Sequence, residues 1–453
     1  MAKNNEIDML HGPLVGKILM FAIPFAFSSI LQQLFNTVDV AIVGRFASSE
    51  ALAAVGANTA LINLIINLFV GCSIGANVVI ANLIGLKDNV RIKQAVNTTA
   101  VLALISGIIL LFIGLIVSRP VLELMGTPES IIHDAILYLR IYFLGIPFFM
   151  IYNFGTSILR SRGDTKRPLY ILIIAGIINV ILNLIFVIVF NLGVAGVAIA
   201  TDIANLYCAG RVIWILLHEE EPFKVDLNNL KTDAVALKRI LQIGLPAGLQ
   251  AMVFSFSNVF IQATINDYGS AAIAGSSISQ MFEGYCYFLM SAFCGAAVTF
   301  TGQNYGARQI ERCKQIFWIC LAFGALACFA ANMLFLTCSD FFLQFFTTDP
   351  EVAHFTKIRI LWVIAFQAIA ASYEIPASAM RGLGHSLEPA LLTVLGTCVL
   401  RLVWIFTICP IWPGYDKLMI CYPASWILTG IMVSSVYVLT AKKAYAFIQK
   451  NQK

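Results

Sequence analysis

The chain is poor in charge. Of its 453 residues only 12% are Asp, Glu, Lys or Arg, against roughly 25% in soluble domains. With 29 basic and 24 acidic residues it cannot cover the water-facing surface of a soluble protein this long, so most of that surface must face lipid. No C-x-x-C pair occurs, and the eleven cysteines lie mostly inside apolar runs, so they read as buried thiols rather than disulfides or a metal cluster. The five histidines stand apart. H-E-x-x-H and P-loop patterns are absent, which removes the usual signatures of a zinc-dependent intramembrane protease and of an ATP-driven pump. The net charge of +5 is small and scattered, which excludes a nucleic-acid partner and suits anionic lipid headgroups. No cofactor is expected.

What is present is hydrophobic length: 59% of the residues are apolar. A spanning helix needs about 20 such residues. Runs bounded by charge or by Gly/Pro clusters give twelve spans, the first near 15–44 and the last near 417–441. The first 15 residues include Glu6 and Asp8 and lack a short apolar core, so the first span is expected to be uncleaved. The longest hydrophilic stretch, His218 to Arg239, follows the sixth span. The expected organisation is an N-lobe over 1–217, a linker over 218–236 and a C-lobe over 237–453. Lys and Arg fall at the N-terminus, after the even-numbered spans and at the C-terminus in 22 of 29 cases. By the positive-inside rule both termini are expected in the cytoplasm, and the expected location is the inner (plasma) membrane.

The two halves repeat. Arg160-Ser-Arg-Gly163 through Pro168 matches Arg381-Gly-Leu-Gly384 through Pro389 at an offset of 221, and the same offset pairs Gly193 with Gly414. Near the start, Pro24 and Asn36 pair with Pro246 and Asn258 at an offset of 222. Six spans per repeat give two six-helix bundles in the same orientation, related by a pseudo-two-fold axis along the membrane normal. Two such bundles with a cleft between them suit alternating access. Gly71 and Gly75 are spaced for close helix packing.

Ionisable residues inside spans are costly, about 2.5–3.5 kcal/mol at mid-bilayer, and therefore informative. In span 1, Gln32, Asn36 and Asp39 share one helical face. Asn179 and Asn183 in span 5, and Thr201 and Asp202 in span 6, reach the same depth as Asp39. A carboxylate among amides and a hydroxyl suits a reversible proton site or, through its oxygens, a sodium site. The second half lacks this acid: Ile261 stands near the counterpart of Asp39, and Tyr422 and Pro423 stand opposite Thr201 and Asp202. It has Glu283 and Arg401 near the midplane instead, expected to form a mutual ion pair, with Asn258 as a further candidate for the cleft. Glu374 is expected to face water.

Span 1 with Pro24, Asp39 and Gly44, then Ala51-Leu-Ala-Ala-Val-Gly56, the Arg160 to Pro168 loop, Asn179, Asn183 and Gly193-Val-Ala-Gly-Val-Ala-Ile-Ala-Thr201 resemble the multidrug and toxic compound extrusion (MATE) transporters over essentially the whole chain. The resemblance implies export of cationic or amphipathic organic compounds by a monomer in exchange for protons or sodium. It implies Asp39 as the acid of the first helix, with Asn153, Asn179 and Thr201 where the N-lobe cation cluster is built. Asn183 stands where related members often have a second acid, and Phe254 and Ala370 stand near the acids some members carry in helices 7 and 10. That pattern favours the subgroup resembling DNA-damage-inducible protein F. A lipid-linked precursor flippase of the same superfamily is the alternative and predicts several basic residues in the cleft; an intramembrane enzyme is the more distant one.

Overall fold

The computed structural model describes residues 6–46, 49–124, 127–227 and 230–450. Among the described residues twelve helices are long and apolar enough to cross a membrane, in the number and positions the apolar runs predict. They are α1 Leu14–Phe46, α2 Ser49–Leu86, α3 Asn89–Leu124, α4 Glu129–Ser161, α5 Lys166–Val189, α6 Gly193–Leu217, α7 Ala234–Asn266, α8 Ser270–Gly306, α9 Ile310–Thr337, α10 Pro350–Gly382, α11 Leu387–Ile411 and α12 Tyr415–Lys450. Exposed Leu, Ile, Val and Phe side chains are numerous, as expected of helices whose outer faces meet hydrocarbon rather than water. The chain is a multi-pass membrane protein.

Two compact units form, and their boundary does not fall at the linker. The first contains residues 6–8 and 27–248 among those described, and the second contains 9–26 and 249–450. Each of α1 and α7 therefore changes unit partway along its length, two residues after Pro24 and two residues after Pro246. A proline inside a helix removes one backbone hydrogen bond and permits a bend, which suits the point where a helix leaves one packing environment for another.

Within the first unit, the early part of α7 packs on α2 through glycines. A Cβ on Gly71 would lie 2.8 Å from the Gly244 carbonyl oxygen, and a Cβ on Gly244 would lie 2.5 Å from Cys72 Cα. The spacing of Gly71 and Gly75 thus does serve close packing, with Gly244 and Gly248 as the partners. Buried Asn58 ties α2 to α4 by donating to the Ala135 carbonyl at 2.9 Å.

The loop between α4 and α5 closes one end of this unit. Arg162 donates to Glu219 at 2.7 Å and also pairs with Glu6, while Arg167 pairs with both Glu219 and Asp164. The Arg162 guanidinium also covers the Phe223 ring at 4.1 Å. Burial alone pushes the Glu219 carboxyl up, but the hydrogen bonds and charges of Arg162 and Arg167 outweigh it and hold the group below its usual range. A depressed folded-state pKa stabilises the fold above the unfolded value and loses that contribution as pH falls through the folded value. Glu219→Gln is therefore expected to lower thermal stability at pH 7. The gap from wild type should close as pH falls below about 4.3, the ordinary glutamate value. Parallel melting curves of the two proteins from pH 7 to pH 3 would contradict this account.

Candidate functional site

In the first unit α1, α5 and α6 converge on one carboxylate. Phe35 sits one turn before Asp39 on the same face of α1, and its ring lies where a Cβ on Gly176 would be. Gly176 is three and seven residues before Asn179 and Asn183 on α5, so the glycine lets α1 approach and sets Asp39 beside both amides. Asn183 Nδ2 donates to Asp39 Oδ1 at 2.5 Å and to Asn179 Oδ1 at 3.2 Å. Thr201 Oγ1 lies 3.2 Å from Asp39 Oδ2 and 3.0 Å from the Val197 carbonyl, so its single proton serves one or the other. Asn179 Nδ2 lies 3.4 Å from Thr201 Oγ1 and completes the ring of contacts.

Asp39 is 8% exposed and all its hydrogen-bond partners are neutral. Asn183 Oδ1 is buried without a partner, so an unsatisfied acceptor stands beside a carboxylate. Both need the same thing, a proton or a small cation, and the oxygens of Asp39, Asn179, Asn183 and Thr201 form a hard-ligand set suited to either.

Other candidates lie apart from this cluster. Asp202 faces α4, where its carboxylate rests against Gly145, and Tyr138 and Tyr142 of α4 are within electrostatic reach of both Asp39 and Asp202. Gln32 and Asn36 share the helical face of Asp39 but are exposed, and neither bonds to the cluster. Asn153 donates to the Phe149 carbonyl of its own helix at 2.9 Å and so does not join Asp39. Asn258 is exposed on α7.

In the second unit the expected pair of Glu283 with Arg401 does not form. Glu283 is held by Arg359 of α10, with Nε on Oε1 at 2.6 Å and Nη2 on Oε2 at 3.0 Å. A planar guanidinium that reaches a carboxylate with two parallel bonds is the stronger partner. Arg401 instead donates from Nε to Ser425 Oγ at 3.1 Å and lies over the Tyr422 ring at 4.2 Å. Arg359 was legible: it lies nine residues inside α10, about 14 Å at 1.5 Å per residue, too deep to be a flanking charge. Glu374 is half-buried rather than water-facing, near Tyr287, Cys294 and Arg381.

The MatE family model matches the chain twice, over residues 24–185 and 246–407. The chain belongs to the MatE family. The likeness read from Pro24, Asp39 and Thr201 is thereby confirmed, and this MatE protein is a transporter, not an enzyme. It is 27% identical over 436 residues to "Probable multidrug resistance protein YoeA" of Bacillus subtilis, covering 94% of this chain and 93% of that protein. It is 25% identical to "Probable multidrug resistance protein NorM" of Thermotoga maritima, covering 85% and 84%. A crystal structure of MATE in the bent conformation superposes with a TM-score of 0.90 at 20% identity, covering 98% of this chain and 99% of that one, and shows the same two six-helix halves.

The contact of Asp202 with α4 gives this MatE transporter a testable packing constraint. A Cβ on Gly145 would overlap the Asp202 carboxylate but would lie 3.0 Å from Asp202 Cβ. Gly145→Ala is expected to lower thermal stability in wild type. In an Asp202→Ala background most of that loss should vanish, because helix propensity there favours alanine by about 1 kcal/mol. Equal losses in both backgrounds would show that Asp202 does not pack on Gly145.

Proposed function

We propose that this protein is a secondary antiporter that exports cationic or amphipathic small organic compounds in exchange for protons or sodium, with Asp39 as the ion-carrying group. The observation that supports this reading is the buried Asp39 carboxylate, held among the described residues by the neutral side chains of Asn183, Thr201 and Asn179 and adjoining an Asn183 oxygen with no partner among them. A buried group that exchanges one proton or one cation has a free energy that depends on ion occupancy, and that dependence can bias two conformations of the transporter. The names of the Bacillus and Thermotoga relatives point to drug-like substrates. The absence of acids at Phe254 and Ala370 agrees with coupling in the first unit, as in the subgroup resembling DNA-damage-inducible protein F. The protein acts as a monomer in the plasma membrane with both termini in the cytoplasm. The flippase alternative asks for several unpaired basic groups at mid-depth, whereas Arg359 is already paired with Glu283.

Efflux of a substrate panel from vesicles, with proton and sodium gradients imposed separately, tests the proposal. Uphill export driven by one of the two gradients is the expected result. Export that ignores both gradients would refute it.

A further inference from the structure

The ends of the two family matches are 222 residues apart, since 246 − 24 and 407 − 185 both give 222. In that register Asp39 corresponds to Ile261, and the 221 offset shared by Pro168 with Pro389 and Gly193 with Gly414 sets Asn179 against Leu400, the neighbour of Arg401. The 221 offset of the later helices sets Thr201 against Tyr422. Asn179 reaches Thr201 at 3.4 Å in the first unit, and Arg401, one residue beyond the counterpart of Asn179, reaches the Tyr422 ring at 4.2 Å in the second. The first unit has the acid Asp39 beside Thr201, whereas the second has Ile261 at the counterpart of Asp39 and the base Arg401, from another helix, beside Tyr422.

Arg401 is 2% exposed, yet among the described residues no carboxylate lies within ion-pair distance of it. Its Nε donates to the neutral Ser425 hydroxyl. The acid of this region, Glu283, has both oxygens occupied by Arg359, which also donates to the Tyr422 hydroxyl at 3.2 Å. Tyr422, Phe254 at 5.8 Å and Trp426 at 6.0 Å offer aromatic faces that partly compensate the cation. A buried guanidinium without a counter-charge is expensive to keep. The helix that carries it is also irregular: π-helical turns at Val394–Val399 and Trp404–Ile408 flank Leu400–Val403. Such turns are frequent at functional sites.

We infer that Arg401 is an anion site, in which its guanidinium takes one monovalent anionic group against the Tyr422 and Trp426 rings. The group is either the carboxylate of an amphipathic aromatic substrate or a free chloride ion. The substrate arm rests on the export reading; anion binding itself does not. The site is occluded in this conformation, and Phe254 of α7 is the half-buried layer above the guanidinium.

Calorimetric titration of the purified full-length chain in chloride-free buffer tests this with 1-naphthoate, 1-naphthamide and sodium chloride. Naphthoate is expected to saturate one site at least about tenfold more tightly than the neutral amide, the scale of a charged hydrogen bond. Arg401→Gln should weaken it by at least about tenfold, and Arg401→Lys by less. Chloride that binds saturably and displaces naphthoate makes the free ion the occupant, whereas naphthoate binding that chloride leaves unchanged makes it the substrate carboxylate. Equal affinity for acid and amide in wild type overturns the inference even if Arg401→Gln does not fold, as does the absence of saturable binding by either anion. Because binding is read without transport, failure here leaves the antiport proposal standing, and failure of antiport leaves this result intact.

Discussion

Asp39→Asn is expected to abolish uphill efflux while leaving protein abundance and substrate binding largely intact. The amide keeps the size and most of the hydrogen bonding of the acid, but it cannot exchange a proton and supplies no charge to sodium. Asn183 and Thr201 still surround it, so the local packing survives. What is lost is the difference in free energy between ion-loaded and ion-free protein, and only such a difference can shift a two-state equilibrium. A gradient of one pH unit supplies about 1.4 kcal/mol per proton. Exchange of one monovalent cation for one proton is electroneutral and draws only on that term. Uncoupled, downhill movement of substrate can persist in the variant. Coupled efflux at more than about half the wild-type rate at matched expression would move the ion site to Asp202 or Glu283.

The second large effect is on stability. Arg359→Ala leaves the partly buried Glu283 of α8 without its counter-charge, and breaking a buried pair in this way costs about 3–5 kcal/mol. Adding Glu283→Gln should recover much of the loss, because the stranded charge is gone. Arg401→Ala combined with Glu283→Gln should show no such recovery, since those two side chains do not pair. A thermal-shift cycle over these variants measures both couplings. Additive losses for the Arg359 cycle, or strong recovery in the Arg401 cycle, would contradict the geometry described above.

The spans were readable because each is a length of apolar sequence, and length is what a bilayer demands. The Asp39 cluster was readable because helix periodicity aligns Asn179 with Asn183 on one face and span depth brings Asp39 and Thr201 to the same level. Asn153 failed to join for a reason that hydropathy does not carry: its amide is satisfied by the carbonyl one turn back on its own helix. The partner of Glu283 was misassigned because depth fixes a layer and not an azimuth, so Arg359 and Arg401 were both eligible until their helices were packed. The exchange of helix segments after Pro24 and Pro246 was likewise hidden, since a proline marks where a helix bends and not which neighbour it meets. Docking of Phe35 on Gly176, which brings α1 to α5, depends on a missing side chain and leaves no periodic trace.

Exchange of substrate for an ion held at Asp39 requires that ions leave the protein as substrate binds, and those ions can be counted. Purified protein in weakly buffered solution is titrated with a substrate identified by the efflux panel, while proton release and bound radioactive sodium are followed together. Wild type is expected to release protons or lose sodium as substrate saturates, and Asp39→Asn to bind the same substrate with neither signal. Saturable binding to wild type with no proton released and no sodium displaced would contradict it.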